Sequence, residues 1–496
     1  MAVFTPRLNE GAQIAAWNCW RAAVEQHRRG EPVETIPRNI LVEGGFRAGK
    51  SELGYLLFTD ALWLNKCVNG LATGTSYGTV DEDMLPRIEL MTWKYGLRPK
   101  LHASHRVLEL RTLRNRLSKF GKHVAIYCRS AHNAERIEAI GVGVTLSDER
   151  GRWREYPHDM KRDGARAVTA RMSDDRARFP MQFDVGTPEG KSTSTYREYH
   201  EHPTAQHRRF TMPTSSNAHN LNPGYIPALR GAFDAIAIRQ YEWGEPTDVG
   251  IGFAYQGYGE QCNGEVRYRP DMPLWICWDF GTAMGCVIIA QPQGEPPDCG
   301  VHILGEVIDQ GGASTGKLLT GLKDWLVLNR IAHENRVLVF GDASGDRADT
   351  RGNQDDWRIV HAGLPSIFSA GQLVYKVEDS NPPVRERVLR VRSLFGDANG
   401  RVRLRLDPKK SPVLHKDFGA VQWKNDKLDH GSDGLLTHTS DSFGYAVWPM
   451  FPFVSPLIGN IQTEGIMHRV SVGDEPPPGW KYGDLARSVD RWAERT

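Results

Sequence analysis

Residues 11–29 (GAQIAAWNCWRAAVEQHRR) space their apolar side chains at helical intervals and predict an amphipathic helix. The next apolar run differs in kind. Residues 38–43 (RNILVE) form a short continuous block, the pattern of a buried strand, and lead straight into a glycine-rich turn. Helical spacing resumes from about Lys50 to Asn65, and strand and helix signals then alternate to about residue 205. Such alternation predicts an α/β domain around a largely parallel sheet. Residues 206–270 are richer in Pro, Asn, Gly and Tyr, and segments such as TMPTSSNAHNLNPGY break the periodicity. They predict a linker or small subdomain. From Leu274 onward LWICWDFG, GCVIIAQ and VHILGEVID read as three short strands with tight turns. A helix over 313–330 and a fourth strand, RVLVFGD, follow. That is an antiparallel meander passing into an α/β unit. The remainder, with EPPPGW and a short charged end, reads as a tail. No internal repeat is present. The expected division is 1–205, 206–270, 271–455 and 456–496.

Length and composition agree with two or three globular domains: 496 residues, 40% hydrophobic and 25% charged. Net charge is +2, so the total does not point to nucleic acid, but the distribution is uneven. Residues 98–136 carry ten Lys/Arg against two Asp/Glu, and residues 385–410 carry nine against three. Each run suits either a phosphate backbone or a solvated helix face. The seven cysteines are scattered with no C-x-x-C pair, which argues against a zinc module or a disulfide framework and fits a reducing cytosol. The N-terminus lacks a signal pattern, and no apolar run reaches the ~18 residues of a membrane span. The expectation is a soluble, intracellular protein with no membrane partner.

The glycine-rich turn is Gly44-Gly45-Phe46-Arg47-Ala48-Gly49-Lys50-Ser51. The spacing G-x-x-x-x-G-K-S between a strand and a helix lets backbone N–H groups cradle phosphates, with Lys50 on the β- and γ-phosphates and Ser51 on Mg²⁺. ATP with Mg²⁺ is the expected ligand. Such a site needs carboxylates at a neighbouring strand end. The apolar run 137–146 (IEAIGVGVTL) ends in Ser147-Asp148-Glu149, which places Asp148 as the magnesium carboxylate and Glu149 as the residue polarising water. Arg47 is either an internal arginine finger or an outward salt-bridging residue. FDVGTPEG (183–190) reads as a strand ending at Thr187, a candidate γ-phosphate sensor that couples hydrolysis to movement, or a plain turn.

Three aspartates form a second constellation. Asp279 ends the first strand of the meander, Asp342 ends the fourth, and Asp441 sits at the start of the apolar helix HTSDSFGYAVWPM. Carboxylates so placed can converge on two divalent ions that activate water at a phosphodiester. Small residues after Asp279 and Asp342 leave room for a nucleic-acid backbone. Glu306 and Asp346 are auxiliary ligands or members of structural salt bridges. The metal is Mg²⁺ or Mn²⁺.

With both sites in view, residues 35–450 resemble the large subunit of bacteriophage terminases. GGFRAGKS is similar to that family's Walker A, TLSDE to its Walker B and catalytic glutamate, and VGTPEG to its coupling motif. WDFG, FGDASG and HTSDSFGY resemble its three acidic nuclease motifs, and NPPVRERVLRVRSLF with GRVRLRLDP its preceding helix and strand. The departures are Ser147 before Asp148 and Phe46 where many relatives carry a basic residue. The resemblance implies a P-loop ATPase domain of the ASCE type followed by an RNase H-like nuclease domain. It implies a motor that moves double-stranded DNA into a procapsid and cuts concatemers, using Asp279, Asp342 and Asp441. Implied partners are the portal protein, a small terminase subunit and further copies of the chain in a ring on the portal, with the C-terminal tail as a portal contact. The implied place is the cytoplasm of an infected bacterial host, transiently on the procapsid and not in the mature virion. Gln13 is the candidate adenine contact, and Arg87, Arg111 and Arg129 are candidates for an intersubunit finger. The runner-up is a helicase-like P-loop motor whose second domain does not cut. A third class is a docking component without nucleotide turnover, against which the intact Gly49, Lys50, Ser51 and Glu149 argue.

Overall fold

The computed structural model describes residues 8–115, 122–137, 141–153, 163–191, 193–247, 252–281, 283–311, 314–346, 355–424 and 427–452. The tail expected at 456–496 lies outside the described residues. The described residues divide into two compact units, 8–223 with 239–247, and 224–238 with 252–452. Segment 206–270 is therefore shared between them.

The first unit is built on an eight-stranded sheet. Its strands are β1 (Asn39–Gly44), β2 (Gly70–Gly74), β3 (Pro99–His102), β4 (Val107–Arg114), β5 (His123–Ser130), β6 (Val144–Asp148), β7 (Met181–Gly186) and β8 (His207–Met212). Their order is β3-β4-β5-β2-β6-β7-β1-β8. From β5 to β8 every pairing is parallel, and the antiparallel pairings are those β4 makes with β3 and β5. This is the mostly parallel α/β class that the alternating signals predict. Parallel strands covered on both faces read as continuous apolar runs, as Ile40, Leu41 and Val42 do. β7 lies between β1 and β6, so the strand carrying Thr187 separates the glycine turn from the acidic pair.

β6 is shorter than the apolar run 137–146 predicts. Ala131–Arg136 forms 3₁₀ turns, 138–140 lie outside the described residues, and the strand begins at Val144. Gly143 sets the start: a Cβ there would stand 2.7 Å from Ala177 Cβ and from Val68 Cγ2, a close approach that only glycine allows.

Helix α1 (Ala12–Arg28) buries Ala16, Trp20, Ala23 and Val24, and α2 (Lys50–Asn65) is buried along most of its length against β6 and β7. Asp60 inside α2 ties these helices together. It accepts from Trp20 Nε1 at 2.8 Å and Arg21 Nη1 at 3.2 Å on one oxygen, and from Tyr95 OH at 3.2 Å on the other. Asp60→Ala would strand the buried indole N–H and is expected to cost about 2–3 kcal/mol, read as a lower urea midpoint for this unit.

The second unit carries a six-stranded sheet of β9 (Leu274–Asp279), β10 (Met284–Pro292), β11 (Val301–Gln310), β12 (Val337–Gly341), β13 (Leu373–Tyr375) and β14 (Leu404–Leu406). The order is β13-β12-β9-β10-β11-β14. β9, β10 and β11 form the antiparallel meander; β12 joins β9 in parallel, β13 joins β12, and β14 joins β11. Alternation along β9 feeds two cores. Leu274, Ile276 and Trp278 pack with helix Thr315–Leu328, while Trp275 and Cys277 pack with helices Val384–Phe395 and His438–Met450. Both faces are covered, so the strand reads as one apolar run. No helix among the described residues is long and apolar enough to cross a membrane.

Candidate active sites

β1 ends at Gly44 and α2 begins at Lys50, so the glycine turn opens onto a helix N-terminus, where unpaired N–H groups and the helix dipole favour an anion. Gly45 N–H donates to Met212 O at 2.9 Å, Phe46 N–H donates to Tyr241 O at 2.6 Å, and the Phe46 and Tyr241 rings stack at 4.5 Å. Phe46 thus packs on an aromatic neighbour. A Cβ on Gly45 would lie 2.3 Å from Glu242 O, and Gly49 holds φ +90°. Arg47 adopts left-handed backbone, φ 57°, with an exposed side chain; its carbonyl accepts from Asn217 Nδ2 at 2.7 Å. Ala48 is buried. Gln13 is also buried and its Nε2 lies 3.5 Å from Gly49 O, which brings the candidate adenine contact to the turn.

Lys50 folds over the turn, its Nζ donating to Gly45 O at 2.7 Å. Burial lowers its pKa; Glu149 and Asp148 oppose that, and Arg152 adds to it. Ser51 Oγ donates to Asp148 Oδ1 and Tyr55 OH to Asp148 Oδ2, both at 3.2 Å. The Asp148 carboxyl is pushed up to about 6, first by burial and then by the Glu149 charge. Glu149 sits in left-handed backbone, φ 52°, ψ 42°, a conformation that costs a non-glycine residue about 1–2 kcal/mol. Its Oε2 accepts from the Thr187 backbone N–H at 3.1 Å. The acidic pair and the end of β7 therefore meet directly, and Gly186 permits it, since a Cβ there would lie 3.0 Å from Glu149 Cα. Behind this contact Arg150 is buried and pairs with Asp184 of β7 and with Glu198 at 2.5 Å.

Of the other arginines, Arg87 pairs with Asp83 at 2.6 Å and with Glu52, Arg129 donates to the carbonyls of His105 and Cys128, and Arg111 is exposed on β4.

In the second unit Asp279 ends β9, Asp342 follows β12, and Asp441 lies in the first turn of helix His438–Met450, which packs on β9, β10 and β12. The sheet and that helix bring the three within electrostatic reach of one another. Burial pushes the Asp279 carboxyl up to about 6, with Asp441 and Asp342 pushing the same way and the His438 hydrogen bond opposing. Burial also raises Asp441, against the pull of Arg387, His430 and His438. Each carboxylate is held by a protein partner. His438 Nδ1 donates to Asp279 Oδ2 at 2.7 Å, Asn381 Nδ2 to Asp342 Oδ1 at 2.6 Å, and Arg387 Nη2 to Asp441 Oδ1 at 2.5 Å. Both His438 nitrogens face acceptors, the second being Gly434 O at 3.2 Å, and the bond to Asp279 leads the rise in its pKa. Among the described residues no group of three or more His, Cys, Asp or Glu is drawn together as a metal-ligand set. The donors are nonetheless hard oxygens of one sign whose mutual repulsion a divalent cation relieves, so their chemistry fits Mg²⁺ or Mn²⁺.

Two expectations need correcting. Glu306 is neither a metal ligand nor a salt-bridge partner: its two oxygens accept from the N–H groups of Val413 at 2.8 Å and Leu414 at 2.9 Å, capping helix Pro412–Ala420. Buried Asp417 does the same for helix His438–Met450, accepting from the N–H groups of Thr439 and Ser440. The basic run 385–410 is partly internal. Arg387, Arg392 and Arg403 are buried, with Arg392 paired to Asp234 at 2.6 Å. Those side chains hold the fold together and are not available to a phosphate backbone. The side chain of Asp346 and residues 116–121 of the first basic run lie outside the described residues.

Sequence reasoning missed His438, Asn381, Arg387 and Arg152. The only local signal was His438 beside Asp441 in HTSDSFGY.

No family model and no curated protein matches the sequence. Solved structures do match in fold. The large terminase of a thermophilic bacteriophage has 14% sequence identity at a TM-score of 0.56, covering 90% of this chain and 100% of that one. The same phage protein in complex with ADP has 15% identity at a TM-score of 0.55, covering 89% and 98%, and in complex with ATP-γ-S 15% at 0.52, covering 86% and 98%. The chain thus has the two-part fold of a phage large terminase along nearly its whole length.

Proposed function

We propose that the chain is the motor and nuclease of a DNA-packaging machine. It would move double-stranded DNA into a procapsid at the expense of ATP and cut concatemeric DNA in a metal-dependent step. The observation that carries this reading is the joint presence, in one chain of this fold, of a phosphate turn bonded through Ser51 to Asp148, with the adjacent Glu149 bonded to Thr187, and of three aspartates gathered at one end of a second sheet. The similar fold of the thermophilic phage's large terminase, solved with ADP and with ATP-γ-S, supports the nucleotide part.

The N–H groups at the helix end of the turn, beyond Phe46, and the Lys50 ammonium would bind the phosphates, Lys50 exchanging Gly45 O for them. Ser51 and Asp148 would hold Mg²⁺. Glu149 would orient and deprotonate the attacking water, and Thr187, already bonded to it through its N–H, would relay the phosphate state along β7. Asp279, Asp342 and Asp441 would hold divalent ions, which when bound supply Lewis acidity at a phosphodiester. The machine would work in the cytoplasm of an infected bacterium, as a ring of copies on a portal protein, with a small terminase subunit that recognises DNA.

One observation favours a second reading, a motor that does not cut: the three aspartates are each bonded to a protein partner. Supercoiled plasmid with Mg²⁺ or Mn²⁺ decides between them. Under the first reading the chain nicks or linearises plasmid, and Lys50→Ala still does so. Wild-type chain that hydrolyses ATP in the presence of DNA but never cuts would leave the second.

A further inference from the structure

Arg152 lies in the 3₁₀ turn Arg150–Arg152 that follows Glu149, its N–H donating to Glu149 O at 2.9 Å. Its guanidinium spans two loops. Nε is 2.7 Å from Glu189 Oε1, in the turn after β7, and 3.6 Å from Glu149 Oε2. That Glu149 oxygen is the one that accepts from Thr187 N–H. Arg152 also acts on the Lys50 ammonium, so its charge reaches the phosphate turn. The neighbouring Arg150 is different: its side chain is 5% exposed and fixed between Asp184 and Glu198, whereas that of Arg152 is 44% exposed.

A cation poised beside the phosphate turn and held by two carboxylates faces a competitor when a nucleoside triphosphate binds. The γ-phosphate carries more charge than either carboxylate and offers the planar guanidinium two oxygens at once. We propose that Arg152 is a γ-phosphate sensor in cis, exchanging Glu189 and Glu149 for the terminal phosphate of bound ATP and returning to them after its loss. This rests on the nucleotide reading above and adds a residue and a direction to it. With ATP bound, Glu149 is released from Arg152 to meet water, and Glu189 gives up its pairing with Arg152 while keeping Gln240 Nε2 at 3.5 Å. With ADP bound, both are recaptured. Glu189 belongs to the segment VGTPEG that contains Thr187, so one guanidinium reports the phosphate state to both the acidic pair and the coupling turn.

The test is calorimetric titration of the full chain with MgATP-γ-S and with MgADP. Arg152→Ala is expected to weaken ATP-γ-S binding about 10- to 100-fold and ADP binding less than about 3-fold. Glu189→Gln removes a competitor for the guanidinium and is expected to tighten ATP-γ-S about 3-fold with ADP unchanged. Arg152→Ala that weakens both nucleotides equally, or neither, overturns the assignment, as does Glu189→Gln without a gain in preference for ATP-γ-S. Wild-type chain that binds neither nucleotide overturns the nucleotide reading itself and the sensor with it.

Discussion

Glu149→Gln is expected to lower ATP turnover by about 10²- to 10⁴-fold while leaving ATP-γ-S affinity within a few fold of wild type. Glutamine keeps the length and shape of the side chain. It also keeps an oxygen to accept from Thr187 N–H, so the link between the end of β6 and the end of β7 survives. What disappears is the carboxylate placed there to take a proton from water. The left-handed backbone at Glu149 is retained as well, since the strain belongs to the main chain and to the close approach of Gly186. Lys50→Ala is the contrasting variant, because Lys50 contacts the turn itself and its loss should weaken nucleotide binding along with turnover. Phosphate release in a single turnover, beside a nucleotide titration, separates the two. If Glu149→Gln turned over like wild type, the base would have to be sought elsewhere.

The parts of this site that lie within one stretch of sequence were legible. An apolar strand, a glycine turn and a helix are contiguous, and their local patterns carry them. The same holds for the first two strands of the meander, β9 and β10, which are buried along their whole length. What was not legible is pairing at a distance. His438 meets Asp279 across 159 positions, Arg387 meets Asp441 across 54, and Asn381 meets Asp342 across 39. No periodicity encodes such contacts; they exist only once the sheet and the helices at its end have formed. Glu306 shows the same limit from the other side. A strand carboxylate near an aspartate cluster suggests a ligand, but its real partners are backbone N–H groups 107 and 108 residues onward. Charge counting failed for residues 385–410 for a related reason. A run of arginines on a helix looks solvated until the helix is docked, and here three of its members face carboxylates or carbonyls indoors. Apolar composition also overstated β6, because a run that enters a strand through glycines looks the same as one that is strand throughout.

Asp342→Asn is expected to lower metal-dependent cleavage of supercoiled plasmid by about 10³-fold or more and to leave ATP turnover unchanged. The carboxamide is nearly isosteric. It can still accept from the Ser344 N–H, which now bonds Asp342 Oδ1 at 2.7 Å, so the turn after β12 should hold. Only the charge is lost, and with it one of the three carboxylates proposed to hold a divalent ion. Asp279→Asn should match it in cleavage but also loosen His438, whose cationic form depends first on that carboxylate. Glu306→Gln is the discriminating control. As a helix cap it should cost about 1 kcal/mol of stability and leave cleavage intact, whereas a metal ligand at that position would lose activity with the charge. ATP turnover serves as the internal standard, since Asp342 and Lys50 belong to different units. Cleavage by Asp342→Asn equal to wild type would remove the aspartates from the chemistry and leave a motor whose second unit binds DNA without cutting it.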